Sequence, residues 1–264
     1  MDASLQPLLE QIGPDRVGAF FLVLARVSPL FILAPLFSSK LVPGRVRGIV
    51  AVGLALGLSP VAAQGVVLPT DQYAFAALLG KEVLVGLGFA FALGALFAAM
   101  TIAGSFLDTM IGFSFGSLVD PVTGNQSTVL QQLYSLIAVL VFIAIGGDAW
   151  VIRGLARTYD VVGLLDYPQL NAMVSGAADA FAQIFLAAIQ VAGPVILALT
   201  LTDAAFGVVS RVVPQLNVFQ VGFPAKVLVG LLLIGVSLPF VAGWLADELQ
   251  RDVSAALATL RIAE

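Results

Sequence analysis

The sequence predicts an all-α, polytopic integral membrane protein whose helices are kinked and broken. Three observations predict it. First, 60% of the 264 residues are apolar and only 11% are charged, whereas about one-quarter of the residues in ordinary soluble domains are charged. Second, apolar runs recur at about 17–37, 48–63, 83–107, 129–152, 180–213 and 225–246, and about 20 apolar residues suffice to cross a hydrocarbon core of about 30 Å. Third, prolines and glycines fall inside or beside these runs, where proline removes a backbone donor and clashes with the preceding turn. Such runs leave no room for a second, soluble domain, so residues 1–264 are expected to form one domain.

Composition also excludes several kinds of chemistry. The chain has no cysteine and no histidine, so disulfides, thiol nucleophiles, His-ligated metals and imidazole acid-base catalysis are ruled out. Carboxylates, hydroxyls and amines remain available, but in no recognisable catalytic set, and no nucleotide-binding glycine loop is present. The expectation is a non-enzyme with no catalytic, cofactor-binding or metal-binding residue. A net charge of -4, scattered along the chain, argues against nucleic acid as a partner and against a polybasic membrane anchor.

At the N-terminus, Leu5, Leu8, Leu9 and Ile12 fall at helical spacing beside Gln6, Glu10 and Gln11, predicting a short amphipathic helix or a frayed end, stopped by Gly13 and Pro14. This stretch is acidic where a secretory signal would be basic, so the first apolar run is expected to stay as an anchor. That run contains Arg26, Ser28, Pro29 and Pro35. A charge in lipid costs about 2.5 to 3.5 kcal/mol on insertion scales, so Arg26 should face protein, water or an interface. Lys40, Arg45 and Arg47 then cluster, which places their loop in the cytoplasm on the positive-inside rule. Cations at successive later places leave the orientation open.

The second run closes at Pro60, and Gln64 to Glu82 reads as a polar interval in which Pro69, Thr70 and Asp71 mark a helix start. The third run sets Gly86, Ala90, Gly94 and Ala98 at four-residue steps. Small residues on one face permit close helix packing, although glycine is also common in membrane helices generally. From Asp108, the stretch DTMIGFSFGSLVDPVTGNQS is too short to span and too apolar for a free loop. It reads as a re-entrant or protein-buried segment, or else as a helix end followed by a turn at Asp120 and Pro121.

Gly146, Gly147 and Asp148 lie inside the fourth run but miss the GlyXaaGlyAsp motif of intramembrane aspartyl proteases. Ile145 stands at the first glycine, and Tyr159 and Asp160 come after the motif instead of before it. An interfacial helix end anchored by Trp150 is the better reading. Arg153 to Gln169 reads as a polar connection. As one helix, residues 180–213 would be about 51 Å long, so the run should kink at Gly193 and Pro194, turn back as a hairpin, or extend beyond the bilayer. Asp203 and Arg211 on it are too far apart for a one-turn ion pair.

Between Pro214 and Pro224 the helix should break, with the last run starting after Pro224. Lys226 would then oppose the dipole of a first helical turn, and pairing with an acid or carbonyl across a subunit interface is the expected reason for its presence. Asp247 to Glu264 is a polar amphipathic tail.

The combination Arg211, Pro214, Gln215, Asn217, Val218, Phe219, Gly222, Pro224, Lys226 and Gly230 resembles the most recognisable block of the FliR family of flagellar type III export-gate proteins. The opening run, Arg26 to Pro29 followed by Pro35, is similar too. The resemblance covers nearly the whole chain and implies a single export-gate domain, with helices packed into a helical multi-subunit assembly. It also implies FliP-like and FliQ-like partners with FlhB and FlhA nearby, and passage of unfolded flagellar subunits across the bacterial inner membrane at the basal body. In that family a loop plugs the channel at rest. The corresponding segment, 108–121, would put Gly112, Phe113, Ser114, Phe115, Gly116, Leu118, Asp120 and Pro121 in the plug, with the phenylalanines as bulk and Gly112 and Gly116 as flex points. A virulence-type export homologue is the alternative. A small-solute transporter, which also uses broken helices, is a weaker one because the interruptions cluster in the C-terminal half instead of repeating in two halves.

Overall fold

The structure is a computed structural model, and it describes residues 14–34, 43–114, 128–213, 215 and 217–259. The elements are α1 (Pro14–Val27), α2 (Leu30–Leu33), α3 (Gly44–Ala62), α4 (Gln72–Ile111), α5 (Val129–Ala144), α6 (Gly147–Val161), α7 (Leu170–Val212) and α8 (Val218–Thr259). Among the described residues there is no strand, as the all-α expectation requires. Five helical stretches are long and apolar enough to cross a membrane, and the broken pair of α5 and α6 could add a sixth. The described residues form two compact units, one within Met1–Gly94, Asp148–Ala180 and Gln250–Glu264, the other within Ala95–Gly147 and Phe181–Leu249.

In the first unit α1 packs against α3. Ala19, Leu22, Val23, Arg26 and Val27 are all buried, and their spacing is that of one helical face. Pro14 opens α1, where its missing N–H has no helical partner to lose. The amphipathic helix expected over 5–12 lies outside the described residues. Asp71 starts α4 as the sequence predicts, its Oδ2 accepting the Ala74 N–H at 3.0 Å, the bond by which a capping side chain satisfies a free first-turn amide. The later part of the polar interval, with Lys81 and Glu82, therefore lies in α4.

In the second unit α5 buries Leu130, Tyr134, Ala138 and Phe142 along one stripe. Ala95, Ala99, Ile184 and Ala187 form a core on which Ala98, Ile102 and Trp244 pack. The Phe97 and Phe142 rings lie 5.5 Å apart.

Two expectations about breaks are corrected, and the alternatives for a third are narrowed. The fourth run ends at Ala144, where Gly146 adopts φ +66 and donates its N–H to the Ile143 carbonyl at 3.1 Å. This is the left-handed close of a helix, which glycine permits. The supposed polar connection after it is helical through Val161. Residues 180–212 do not turn back as a hairpin, and their length is that of the extension the sequence allows. They lie in one 43-residue helix with Pro194 inside, about 64 Å at 1.5 Å per residue. Finally, Pro224 does not end the break. Helix α8 begins at Val218 with Pro224 inside it, because Asn217 accepts the Gln220 N–H at 3.3 Å and nucleates the first turn upstream of the proline. The tail beyond Asp247 continues this helix to Thr259.

Candidate functional site

The candidate site in the second unit is built where α4 ends. Gly112 leaves the helix with φ +102, donating its N–H to the Asp108 carbonyl at 2.9 Å. Phe113 and Ser114 follow, both half-buried. Phe115, Gly116, Leu118, Asp120 and Pro121 lie outside the described residues.

The Asp108 carboxylate, fully buried, accepts the Leu130 N–H at 3.1 Å and the Gln131 N–H at 2.9 Å. It also accepts the Thr128 hydroxyl. Thr128 returns its own N–H to Gln131 Oε1 at 3.3 Å. The first turn of α5 is thus capped by a side chain from α4.

The block from Arg211 to Gly230 divides into two sets. Gly230 packs on the end of α4, where a Cβ would lie 2.5 Å from Ile111 Cδ1 and 3.0 Å from Cγ1. Gly222 is buried with the Phe206 ring beside it, 3.6 Å from where a Cβ would stand. Lys226 donates to Asp203 at 2.9 Å. Its partner is therefore in the same chain, not across an interface, because α8 returns alongside α7 and brings the two residues level. Arg211, Gln215, Asn217 and Pro224, by contrast, are exposed. Arg211 sits in the last turn of α7, where a cation complements the helix dipole. Pro214 lies outside the described residues, and Phe219 falls in the first turn of α8.

The four small residues of α4 are placed differently from one another. At Gly86 a Cβ would stand 2.2 Å from the Arg26 carbonyl oxygen, so α1 can pass there only against glycine. Ala90 is fully buried. At Gly94 the corresponding distance to the Leu33 carbonyl is an ordinary 3.5 Å. Ala98 packs on the second unit's alanine-rich core.

The first unit contains a charge cluster. Arg26, Lys81, Glu82 and Thr158 are buried. Arg26 chelates Glu82 through Nε and through Nη2, the latter at 2.9 Å. It also donates to Thr158 Oγ1 at 3.1 Å and the Val162 carbonyl at 2.9 Å. Its guanidinium lies 4.0 Å from the centroid of the Tyr159 ring. Lys81 pairs with Glu82 at 2.6 Å and donates to the carbonyls of Gly163 and Leu164, each at 2.9 Å. Two cations therefore surround one carboxylate, and the remaining positive charge meets carbonyls just past the C-terminus of α6, where the dipole is negative. Arg26 faces protein, as its lipid cost demands.

A model of the bacterial export proteins, family 1, matches residues 17–251. The chain belongs to that family. Among its relatives, the flagellar biosynthetic protein FliR of Bacillus subtilis (strain 168) is 32% identical over 234 residues, 86% of this chain and 88% of the relative. FliR of Escherichia coli (strain K12) is 29% identical over 226 residues, 86% of each. The surface presentation of antigens protein SpaR of Shigella flexneri is 27% identical over 217 residues, 82% of each. Family membership and the apolar helices together make the chain a membrane component of bacterial protein export.

Proposed function

We propose that this chain is a pore-forming subunit of a flagellar type III protein-export gate. The observation that carries the proposal is the match to FliR along 86% of this chain and 88% of the relative. On this reading residues 1–264 work as one export-gate domain. The chain sits in the bacterial inner membrane at the flagellar basal body and assembles with FliP-like and FliQ-like subunits, with FlhB-like and FlhA-like proteins nearby. Unfolded flagellar subunits pass through the pore they share, driven by the proton motive force and the partners. This chain performs no catalysis.

Its own part is conduction and gating. The segment 108–121 plugs the pore at rest, Phe113 and Phe115 supplying bulk and Gly112 and Gly116 supplying backbone freedom. The left-handed backbone at Gly112 supports such a turn out of α4. In the Arg211 to Gly230 block, Gly222, Lys226 and Gly230 hold this chain together, while the exposed Arg211, Gln215, Asn217 and Pro224 are offered to neighbouring subunits.

Two experiments test the reading. Mild-detergent purification of the tagged chain, with mass spectrometry, should recover FliP-like and FliQ-like proteins in one large complex, and a monomer or homodimer free of both would point to a transporter. Shortening the chain across Gly112 to Leu118 should make the membrane leak small ions with the complex still assembled. A tight membrane around a normally assembled complex would refute the plug. A virulence-type role is the second reading, motivated by the 27% identity to SpaR, and secretion of effectors instead of flagellin on deletion and complementation would select it.

A further inference from the structure

Asp108 is the most deeply buried acid of the second unit, with no measurable exposure. A carboxylate in such a place costs several kcal/mol unless it is well hydrogen-bonded. Here the compensation comes from the start of α5, a helix terminus carrying about half a positive charge. Helices ordinarily take their cap from the residue just before them. Helix α5 has such a local capping box of Thr128 and Gln131, and in addition gives the amides of Leu130 and Gln131 to a carboxylate 22 and 23 residues upstream.

Two further features fall on the same face of α4, one turn to either side. At Gly104 a Cβ would stand 2.6 Å from the Leu130 carbonyl oxygen and 2.7 Å from the Gln131 Cα, so the two backbones touch. At Gly112 the chain turns out of α4 with its N–H held by the Asp108 carbonyl. Gly104, Asp108 and Gly112 are four residues apart, and together they fix the first turn of α5 against the place where α4 ends.

We propose that Asp108 is a positioning residue of the gate, a staple that holds the end of α4 to the first turn of α5 and so sets the direction in which Gly112, Phe113 and Ser114 leave the helix. The proposal rests on the gating role given above to 108–121. The contact at Gly104 and the three hydrogen bonds at Asp108 make the junction over-determined, so it fixes the point at which the chain leaves α4. Loss of the staple misdirects Gly112, Phe113 and Ser114 without removing any of them.

The test uses the full chain in its assembled complex, in cells lacking the native copy, and measures small-ion leak across the inner membrane beside complex recovery. The chain shortened across Gly112 to Leu118 is the reference. Asp108→Ala and Gly104→Ala should each assemble and raise the leak several-fold toward the reference. Asp108→Asn, which keeps one carbonyl acceptor, should fall between Asp108→Ala and the unaltered chain. A cap with only a structural role would lower recovery and leave the leak per assembled complex unchanged, and that result would overturn the proposal. Should Asp108→Ala fail to assemble, Thr128→Val, which removes only the hydroxyl donor, decides in the same way: raised leak supports the staple and a tight membrane sinks it. If the shortened reference itself stays tight, the gating reading fails first and the staple falls with it.

Discussion

Glu82 is the one carboxylate shared by two buried cations, Arg26 and Lys81, and its neighbours differ in what they can do without. Removing one partner of a buried ion pair costs about 3–5 kcal/mol because the other charge is stranded. Glu82→Gln strands two cations at once. Lys81→Met strands none, since Arg26 and Glu82 still neutralise each other and only the carbonyls of Gly163 and Leu164 lose a donor. Glu82→Gln should therefore lower the thermal midpoint in detergent far more than Lys81→Met does, and equal losses would show that the cluster is held by packing. The need for this site was legible in the sequence, because an arginine inside an apolar run demands a partner. The partner's identity was not. It lies 56 residues away, at the end of a polar interval, and nothing local shows that Lys81 and Glu82 are turned inward on a helix. Asp108 was missed for a related reason. As a cap it serves a helix that begins 21 residues later, whereas capping signals in a sequence are read over three or four.

Among the elements, each apolar run falls on a described helix, or bent helix pair, long and apolar enough to cross a membrane, because burial in lipid or protein requires the same residue types. The ends were less legible. Pro224 was expected just before the last helix, and Pro194 at a kink, a hairpin or an overlong helix; both lie inside long helices. In a helix more than 40 residues long, such as α7 or α8, a single missing N–H is a small fraction of the ladder. The stop at Gly146 depends on positive φ, which no side chain but glycine's adopts without strain. With nothing within 4 Å of its would-be Cβ, the strain there is purely that of the backbone. Gly146→Ala should thus cost about 1–2 kcal/mol, Gly146→Asn less, and Gly146→Val more, following the left-handed penalty for each side chain. Thermal melts of the three variants in one detergent check the order. Equal melting points would mean that α5 ends differently.

For the whole molecule, helix length is the informative quantity. Helix α7, about 64 Å, is twice the thickness of a hydrocarbon core. Large apolar side chains stay exposed along much of it, among them Phe181, Phe185, Ile189, Leu197, Leu201, Val208 and Val212. The first and last of these are 31 positions apart in the sequence, about 47 Å of helix axis, so a bilayer about 30 Å thick cannot cover them all. The exposed half of Asp203 lies within that stretch, where its carboxylate is 51% accessible even with Lys226 beside it, an unfavourable arrangement against lipid. Partner subunits supply the missing cover on the proposed reading. The chain purified alone should then aggregate or melt early in mild detergent, and co-expression with FliP-like and FliQ-like subunits should raise its melting temperature and recovery together. Because the surface concerned is chiefly apolar, the gain should persist in high salt, where an association held by exposed charges weakens within a Debye length of about 3 Å at 1 M. A chain equally stable with and without its partners would mean that lipid or detergent alone covers α7, and the subunit reading of its length would have to be abandoned.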